Sequence, residues 1–273
     1  ADLSKLFLSV PPLPEQQKIA SILASVDDVI ETTQAQIEKL QDLKTATMNE
    51  LLTKGIGHTE FKDSALGQIP ESWEIKTIGE LFEVLGRIGW RGYTVDDLRD
   101  SGVLVLGCTQ ISKKHKIDLS KPVYLSEEKY LESPDIMIET NDIILAKTGN
   151  TIGKLALIKD GLGRATINPN TVILRPKSKV QEFTYQALTS EEYQAKFWSF
   201  VAVGAQPSLN QQNIKSIKIS LPPLPEQQKI ASILTAMDEQ IEQKQQKLAQ
   251  TQSLKTALMQ DLLTGTVRVE VDA

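Results

Sequence analysis

The run PPLPEQQKIASIL stands at Pro11–Leu23 and again at Pro222–Leu234, and this duplication, offset by 211 residues, constrains the fold more than any other feature. The match continues without a gap: LKTA at Leu43–Ala46 recurs at Leu254–Ala257, Met48 aligns with Met259, and LLT at Leu51–Thr53 with Leu262–Thr264. A repeated unit of about 50 residues therefore brackets a unique middle segment. Copies so far apart do not form a solenoid, which needs adjacent repeats to close its core.

Each copy opens with prolines that cannot lie inside a helix. Pro14-Glu15 and Pro225-Glu226 follow, where proline pre-sets φ and glutamate suits the positive end of a helix dipole. Apolar residues then recur at steps of three, four and seven: Leu23, Val26, Ile30, Ile37, Leu40 and Leu51 in the first copy, Leu234, Met237, Ile241, Leu248, Leu258 and Leu262 in the second. Thr33, Lys44, Lys244, Thr251 and Lys255 interrupt this seam. A stripe so narrow, on a helix otherwise rich in Gln, Glu, Lys and Thr, fits another long helix better than a broad sheet. The middle segment leaves the end of one helix and returns at the start of the other, so an antiparallel coiled coil within one chain satisfies both. Packing of both helices on a globular core, or swapped pairing between two chains, remains an alternative.

From Gly57 to about Asn210, Gly and Pro become frequent and a period of two appears. VLVLG, DIILAKTGNTIGKLALI and NTVILRP read as strands, with Gly149-Asn150 a turn inside the second, and Ser190–Ala202 reads as a short helix. The expectation is an α+β domain of roughly 150 residues with a twisted, barrel-like sheet and short helices. GNTIGK at Gly149–Lys154 has three residues between its glycines and Leu155 after the lysine, so it fails as a phosphate loop. NPN at Asn168–Asn170 lacks the second proline and the aromatic residue of an amino-methyltransferase motif, and reads as a turn.

Function is bounded mostly by what is missing. No apolar run reaches the roughly 18 residues of a spanning helix, and no signal core is present, so a cytoplasmic protein is expected. Cys108, His58 and His115 form no zinc-ligand spacing, and no nucleophile, base and orienting group stand together; neither a metal nor catalysis by this chain is expected. The net charge of −5 argues against indiscriminate coating of nucleic acid, and residues 56–210 hold 18 Lys and Arg against 20 Asp and Glu. Any DNA binding must therefore rest on arrangement. Four loop segments have the chemistry: GRIGWRGYT (Gly86–Thr94), SKKHK (Ser112–Lys116), KTGNT (Lys147–Thr151) and QPSLNQQN (Gln206–Asn213). Arginine pairs with guanine edges or phosphate, amides with adenine, lysine and serine with phosphate. The competing reading of the same loops is solvated turns on an ordinary domain.

The chain resembles the DNA specificity (S) subunits of type I restriction-modification systems. The resemblance is carried by the two PPLPEQQKIA segments, by LGQIPESWE at Leu66–Glu74, by NDIILAKTGNTIGK at Asn141–Lys154 and by GAQPSLNQQNIKSIKISLPPLPEQ at Gly204–Gln227. It implies a target recognition domain at 56–213, conserved long helices at 14–55 and 225–264, an exit segment of a preceding domain at 1–13, a linker at 214–224 and a tail at 265–273. It implies double-stranded DNA, modification (methyltransferase) subunits, a restriction subunit and, for a half-length subunit, a second copy of the chain as partners. S-adenosylmethionine belongs to the modification subunit and ATP to the restriction subunit; this chain needs no cofactor. Family members usually carry two recognition domains, so the chain looks like a half-length subunit or a piece of a longer one. Helices of about 40 residues span roughly 60 Å, near 17 base pairs, the right order for a spacer between half-sites.

The expected DNA-facing residues are Arg87, Trp90 and Arg91; Lys113, Lys114 and Lys116 on phosphates; Lys147, Thr148, Asn150 and Lys154 around the hairpin; and Gln206, Ser208 and Asn210 on the exit loop. A coiled-coil adaptor that binds only protein, suggested by the acidic balance, and a stand-alone methyltransferase or nuclease, suggested only by NPN, are the alternatives. Replacing Arg87 and Arg91 with alanine is expected to weaken cognate binding by a few kcal/mol with the fold intact, as read by duplex titration; unchanged specificity would refute their role.

Overall fold

The computed structural model describes residues 10–87, 93–159, 161–201 and 207–270. These divide into two compact units: the described residues up to 46 together with those from 235, and the described residues between 47 and 234.

Two helices, α1 (Leu13–Lys54) and α7 (Leu224–Thr264), supply the first unit with their residues up to 46 and from 235. Each has proline and glutamate in its first turn, and each is followed at once by a glycine with positive φ, Gly55 at +67° and Gly265 at +73°. Only glycine adopts that left-handed C-terminal conformation without cost. The local chemistry of the repeat is reproduced as well: Gln16 Nε2 donates to Pro11 O and Gln227 Nε2 to Pro222 O, both at 2.7 Å.

The two helices run antiparallel within one chain. Arg268 pairs with Glu15, Lys255 with Asp27, Lys244 with Gln36 and Lys44 with Asp238, so partners descend α7 as they climb α1. Lys44, Lys244 and Lys255, which looked like breaks in the seam, reach across it. Lys255–Asp27 and Lys44–Asp238 are partly exposed ion pairs, which contribute only about 0–1 kcal/mol each, and Lys244–Gln36 is a hydrogen bond to a neutral amide; these contacts set register while apolar burial supplies the attraction. Ile37, Ile241 and Leu262 are buried, and Leu23, Val26, Ile30, Leu40, Met237, Leu248 and Leu258 partly so. Leu51 and Leu234, assigned to the same seam, instead join the core of the second unit, because both lie in the helix turns that belong to it.

The second unit is α+β. Its central sheet is ordered β4 (Phe82–Leu85), β11 (Thr171–Pro176), β8 (Ile143–Ala146), β9 (Leu155–Leu157), all antiparallel. Alternate residues serve two cores: Ile143, Leu145, Val172, Leu174 and Leu155 face one with Trp73, Phe183 and Phe197, while Ile144, Ile173 and Ala156 face another with Leu104, Leu106 and Ile167. Burial on both faces is why these strands read as unbroken apolar runs. The second core is closed by a sheet ordered β10 (Ala165–Ile167), β6 (Val103–Leu106), β7 (Tyr124–Leu125), β5 (Leu98–Arg99), in which β10 and β6 are parallel. Two-stranded sheets pair β1 (Phe61–Ser64) with β2 (Gly67–Pro70), and β3 (Glu74–Thr77) with β12 (Lys218–Leu221).

The barrel-like sheet expected from the sequence is four separate sheets, none closed. Strands of two to six residues, ended by 3-10 turns such as Cys108–Gln110, bury their apolar faces by stacking rather than by closure. Residues 214–224, read as a linker, include β12, whose pairing with β3 makes them part of the domain. The single helix expected at 190–202 is preceded by α4 (Gln181–Thr189); extended Ser190 separates α4 from α5 (Glu191–Ser199). A short helix, α6 (Gln211–Ser216), follows the exit loop. Among the described residues no helix is long and apolar enough to cross a membrane.

Glu226 ties the second unit together. Its carboxylate, with the side chain 13% exposed, accepts from Ile56 N–H at 2.8 Å, from His58 Nε2 at 2.9 Å and from Trp73 Nε1 at 3.1 Å. A Cβ at Gly55 would lie 2.4 Å from Glu226 Oε1, so the approach requires glycine there. Glu226→Ala strands three donors and should cost about 2–4 kcal/mol. The expected readout is a lower urea midpoint at unchanged denaturant dependence; an unaltered midpoint would contradict the assignment.

Candidate nucleic-acid interface

Hydrogen bonds gather the polar loops of the second unit. Lys147 N–H donates to Asn170 O at 2.9 Å, Leu209 N–H to Lys147 O at 2.8 Å and Gly149 N–H to Pro207 O at 2.9 Å, and Thr148 bridges Ser208. The segment joining β8 to β9 is thus flanked by the 168–170 turn and by the exit loop. Lys154 Nζ donates to Ile111 O at 3.0 Å, which brings the 112–116 turn into the same set. That turn is closed by Ser112 N–H to Lys116 O at 2.8 Å and by Lys116 N–H to Ser112 Oγ at 3.2 Å. His115 sits in it at φ +57°, with Nδ1 accepting from Leu155 N–H at 3.2 Å and its carbonyl accepting from Tyr185 Oη at 2.5 Å. His115 is therefore a structural residue that fixes a lysine-bearing tip.

The expected residues fare differently. Lys113, Lys114, Lys116, Asn150 and Ser208 are exposed, and Lys147, Thr148 and Lys154 are half-buried along this cluster. Asn210 is exposed, but its side chain accepts from Asn213 N–H at 2.7 Å and caps α6. Trp90, Arg91 and Gln206 lie outside the described residues. Arg87 is only 8% exposed: Nε donates to Ile167 O at 2.8 Å and the guanidinium lies 5.7 Å from the Tyr93 ring centroid. Burial, partly offset by Tyr93, Asp135 and Glu132, lowers its pKa from the ordinary arginine value, and it remains a cation at neutral pH. A guanidinium held inside the domain bonds the end of β10; replacing it would perturb the fold, contrary to the expectation drawn from its Gly-rich surroundings.

Three residues absent from the sequence-based set belong to the cluster. Tyr93, whose hydroxyl burial pushes above the usual tyrosine pKa, lies with its ring beside the Arg87 guanidinium; Asn168 accepts from Asn170 N–H at 2.9 Å; and Asn170 is exposed. The available signal was NPN itself, dismissed for failing one motif. Among the described residues no three His, Cys, Asp or Glu side chains group as a metal site. Cationic tips beside exposed amides on hydrogen-bonded loops suit phosphate contact and base-edge reading.

The sequence matches the type I restriction modification DNA specificity domain over residues 1–42 and 70–252. It is 30% identical over 269 residues to the type I restriction enzyme MjaVIII specificity subunit of Methanocaldococcus jannaschii, covering 96% of this chain and 62% of that one. It is also 30% identical over 275 residues to the putative MjaX specificity subunit of the same organism, covering 98% and 61%. The chain therefore spans about three fifths of the length of these relatives. In fold it is similar to the HsdS subunit from Thermoanaerobacter tengcongensis (TM-score 0.59, 16% identity, covering 94% of this chain and 60% of that one). It is likewise similar to a type I restriction-modification S subunit from M. genitalium (TM-score 0.61, 17% identity, 92% and 61%).

If Lys113, Lys114 and Lys116 contact phosphate, replacing all three with alanine should reduce the steepness of log affinity against log salt by about 2–3 and leave sequence preference alone. Titrations of duplex DNA at several ionic strengths read this; an unchanged salt slope would remove these lysines from the interface.

Proposed function

Because the chain belongs to the type I restriction-modification DNA specificity family, we propose that it is the sequence-reading, non-catalytic subunit of such a complex. The domain at 56–213 reads one half of a split DNA target, and the helices at 14–55 and 225–264 act as spacer and as docking surface for modification and restriction subunits. Adenine methylation, with S-adenosylmethionine, is then the work of the modification subunit, and ATP-dependent restriction that of its own subunit. The assembly acts in the cytoplasm, where its DNA lies. The observation that carries this reading is the convergence of the 112–116, 147–154, 168–170 and 207–210 segments, lysine tips beside exposed amides, on one hydrogen-bonded framework.

Physical chemistry supports a division of labour. Balanced bulk charge keeps nonspecific coating weak, while local cations supply enough phosphate attraction to hold the loops against base edges.

Co-expression with the cognate modification subunit, followed by genome-wide mapping of methylated adenines, tests the proposal. One defined bipartite motif is expected, symmetric if two copies of this chain act together. Absence of chain-dependent, sequence-defined methylation would overturn it.

A further inference from the structure

We propose that Asn170 is a base-reading residue that recognises an adenine edge in the major groove, and that buried Arg87 is the positioning residue that fixes the turn carrying it. The inference rests on the specificity-subunit reading above and assigns a residue to it.

Asn170 combines a fixed backbone with an uncommitted side chain. Its N–H donates to Asn168 Oδ1 at 2.9 Å, and its carbonyl accepts from Lys147 N–H at 2.9 Å and from the Cys108 thiol at 3.4 Å. The residue is exposed, and its carboxamide has no hydrogen-bond partner among the described residues. A carboxamide offers one acceptor and one donor side by side, the complement of adenine N6 and N7. Held on a backbone already ordered, it loses little conformational freedom on binding.

The other amides of the cluster are less suited. Asn168 is committed to the turn, accepting from Asn170 N–H and from Thr171 Oγ1, and Asn210 caps α6. Asn150 is exposed at the tip of a short turn, with neither backbone nor amide bonded to another loop among the described residues. Lys147, whose N–H donates to Asn170 O at 2.9 Å, is the cation adjoining this turn and suits a phosphate contact.

Arg87 fixes the approach to this turn. Its Nε donates at 2.8 Å to the carbonyl of Ile167, the last residue of β10 and the one that leads into Asn168, and its guanidinium lies 5.7 Å from the Tyr93 ring centroid. On the far side Thr171 N–H donates to Asn168 O at 3.2 Å and Thr171 Oγ1 to Leu106 O at 3.0 Å. A Cβ on Gly107 would meet Asn168 Nδ2 at 2.4 Å, so the Asn168 carboxamide packs directly against the Gly107 backbone. Loss of the Arg87 fork would let the turn shift without removing any group that touches DNA.

The test is the methylated motif written in cells by the full chain with its modification subunit, compared for wild type, Asn170→Ala and Arg87→Lys. For Asn170→Ala one A·T position of the motif should become degenerate while the others persist, which also shows that the variant folds. Affinity for the wild-type motif should fall by about 5- to 150-fold and affinity for a duplex altered at that position should not. Arg87→Lys, which keeps the charge and loses the fork, should blur the same position. An intact motif in Asn170→Ala overturns the base-reading role. A loss in Arg87→Lys spread evenly over the motif, confined to a different position or absent overturns the positioning role. If the wild-type chain itself writes no motif, the specificity-subunit reading fails, an outcome distinct from either.

Discussion

One half-buried carboxylate joins the start of α7 to the chain beyond α1 within the second unit. Glu226, in the first turn of α7, takes three hydrogen bonds from Ile56, His58 and Trp73, residues that come from the end of α1 and from the run just ahead of β3. A carboxylate so enclosed must be satisfied in full, because each missing donor leaves desolvation uncompensated. The repeated sequence puts a glutamate at the equivalent place in the other helix, where Glu15 accepts from Arg268 and Val269 N–H. Arg268 holds the Glu15 carboxyl below its ordinary pKa. The same segment thus does the same work twice: it joins the start of one long helix to the chain just beyond the end of the other.

The polar loops are anchored by what lies beneath them. The sheet β4-β11-β8-β9 is buried on both faces, so its strand ends cannot move without disturbing two cores. Lys147, Asn170 and Leu209 are bonded directly above those strand ends. Rigid backbone with free polar side chains is the condition under which hydrogen bonding discriminates between bases, since a mispaired amide then has no way to relax.

Much of this was legible in the sequence, for identifiable reasons. Proline at the start, glycine at the stop and a three-four apolar step are local signals, and they locate α1 and α7. Apolar runs such as IILA and TVIL announce strands, though nothing local tells which residues face which core. What was missed depends on distant partners. Arg87 looked exposed among glycines; its burial is set by a carbonyl 80 residues on. Lys44, Lys244 and Lys255 looked like defects because their partners lie on the other helix. The strand β12 was hidden by the prolines that follow it, and its pairing with β3 spans most of the domain. Asn170 was in plain view within NPN, but its value comes from Lys147, Cys108 and Arg87 fixing the turn.

The central claim is that one framework of hydrogen-bonded loops forms the DNA-facing surface. Amide hydrogen exchange of the full chain, with and without a duplex carrying its methylated motif, addresses this most directly. The account expects added protection at residues 112–116, 147–154, 168–170 and 207–211, with the β1–β2 hairpin unchanged. Protection centred on that hairpin, with these four segments unaffected, would contradict it.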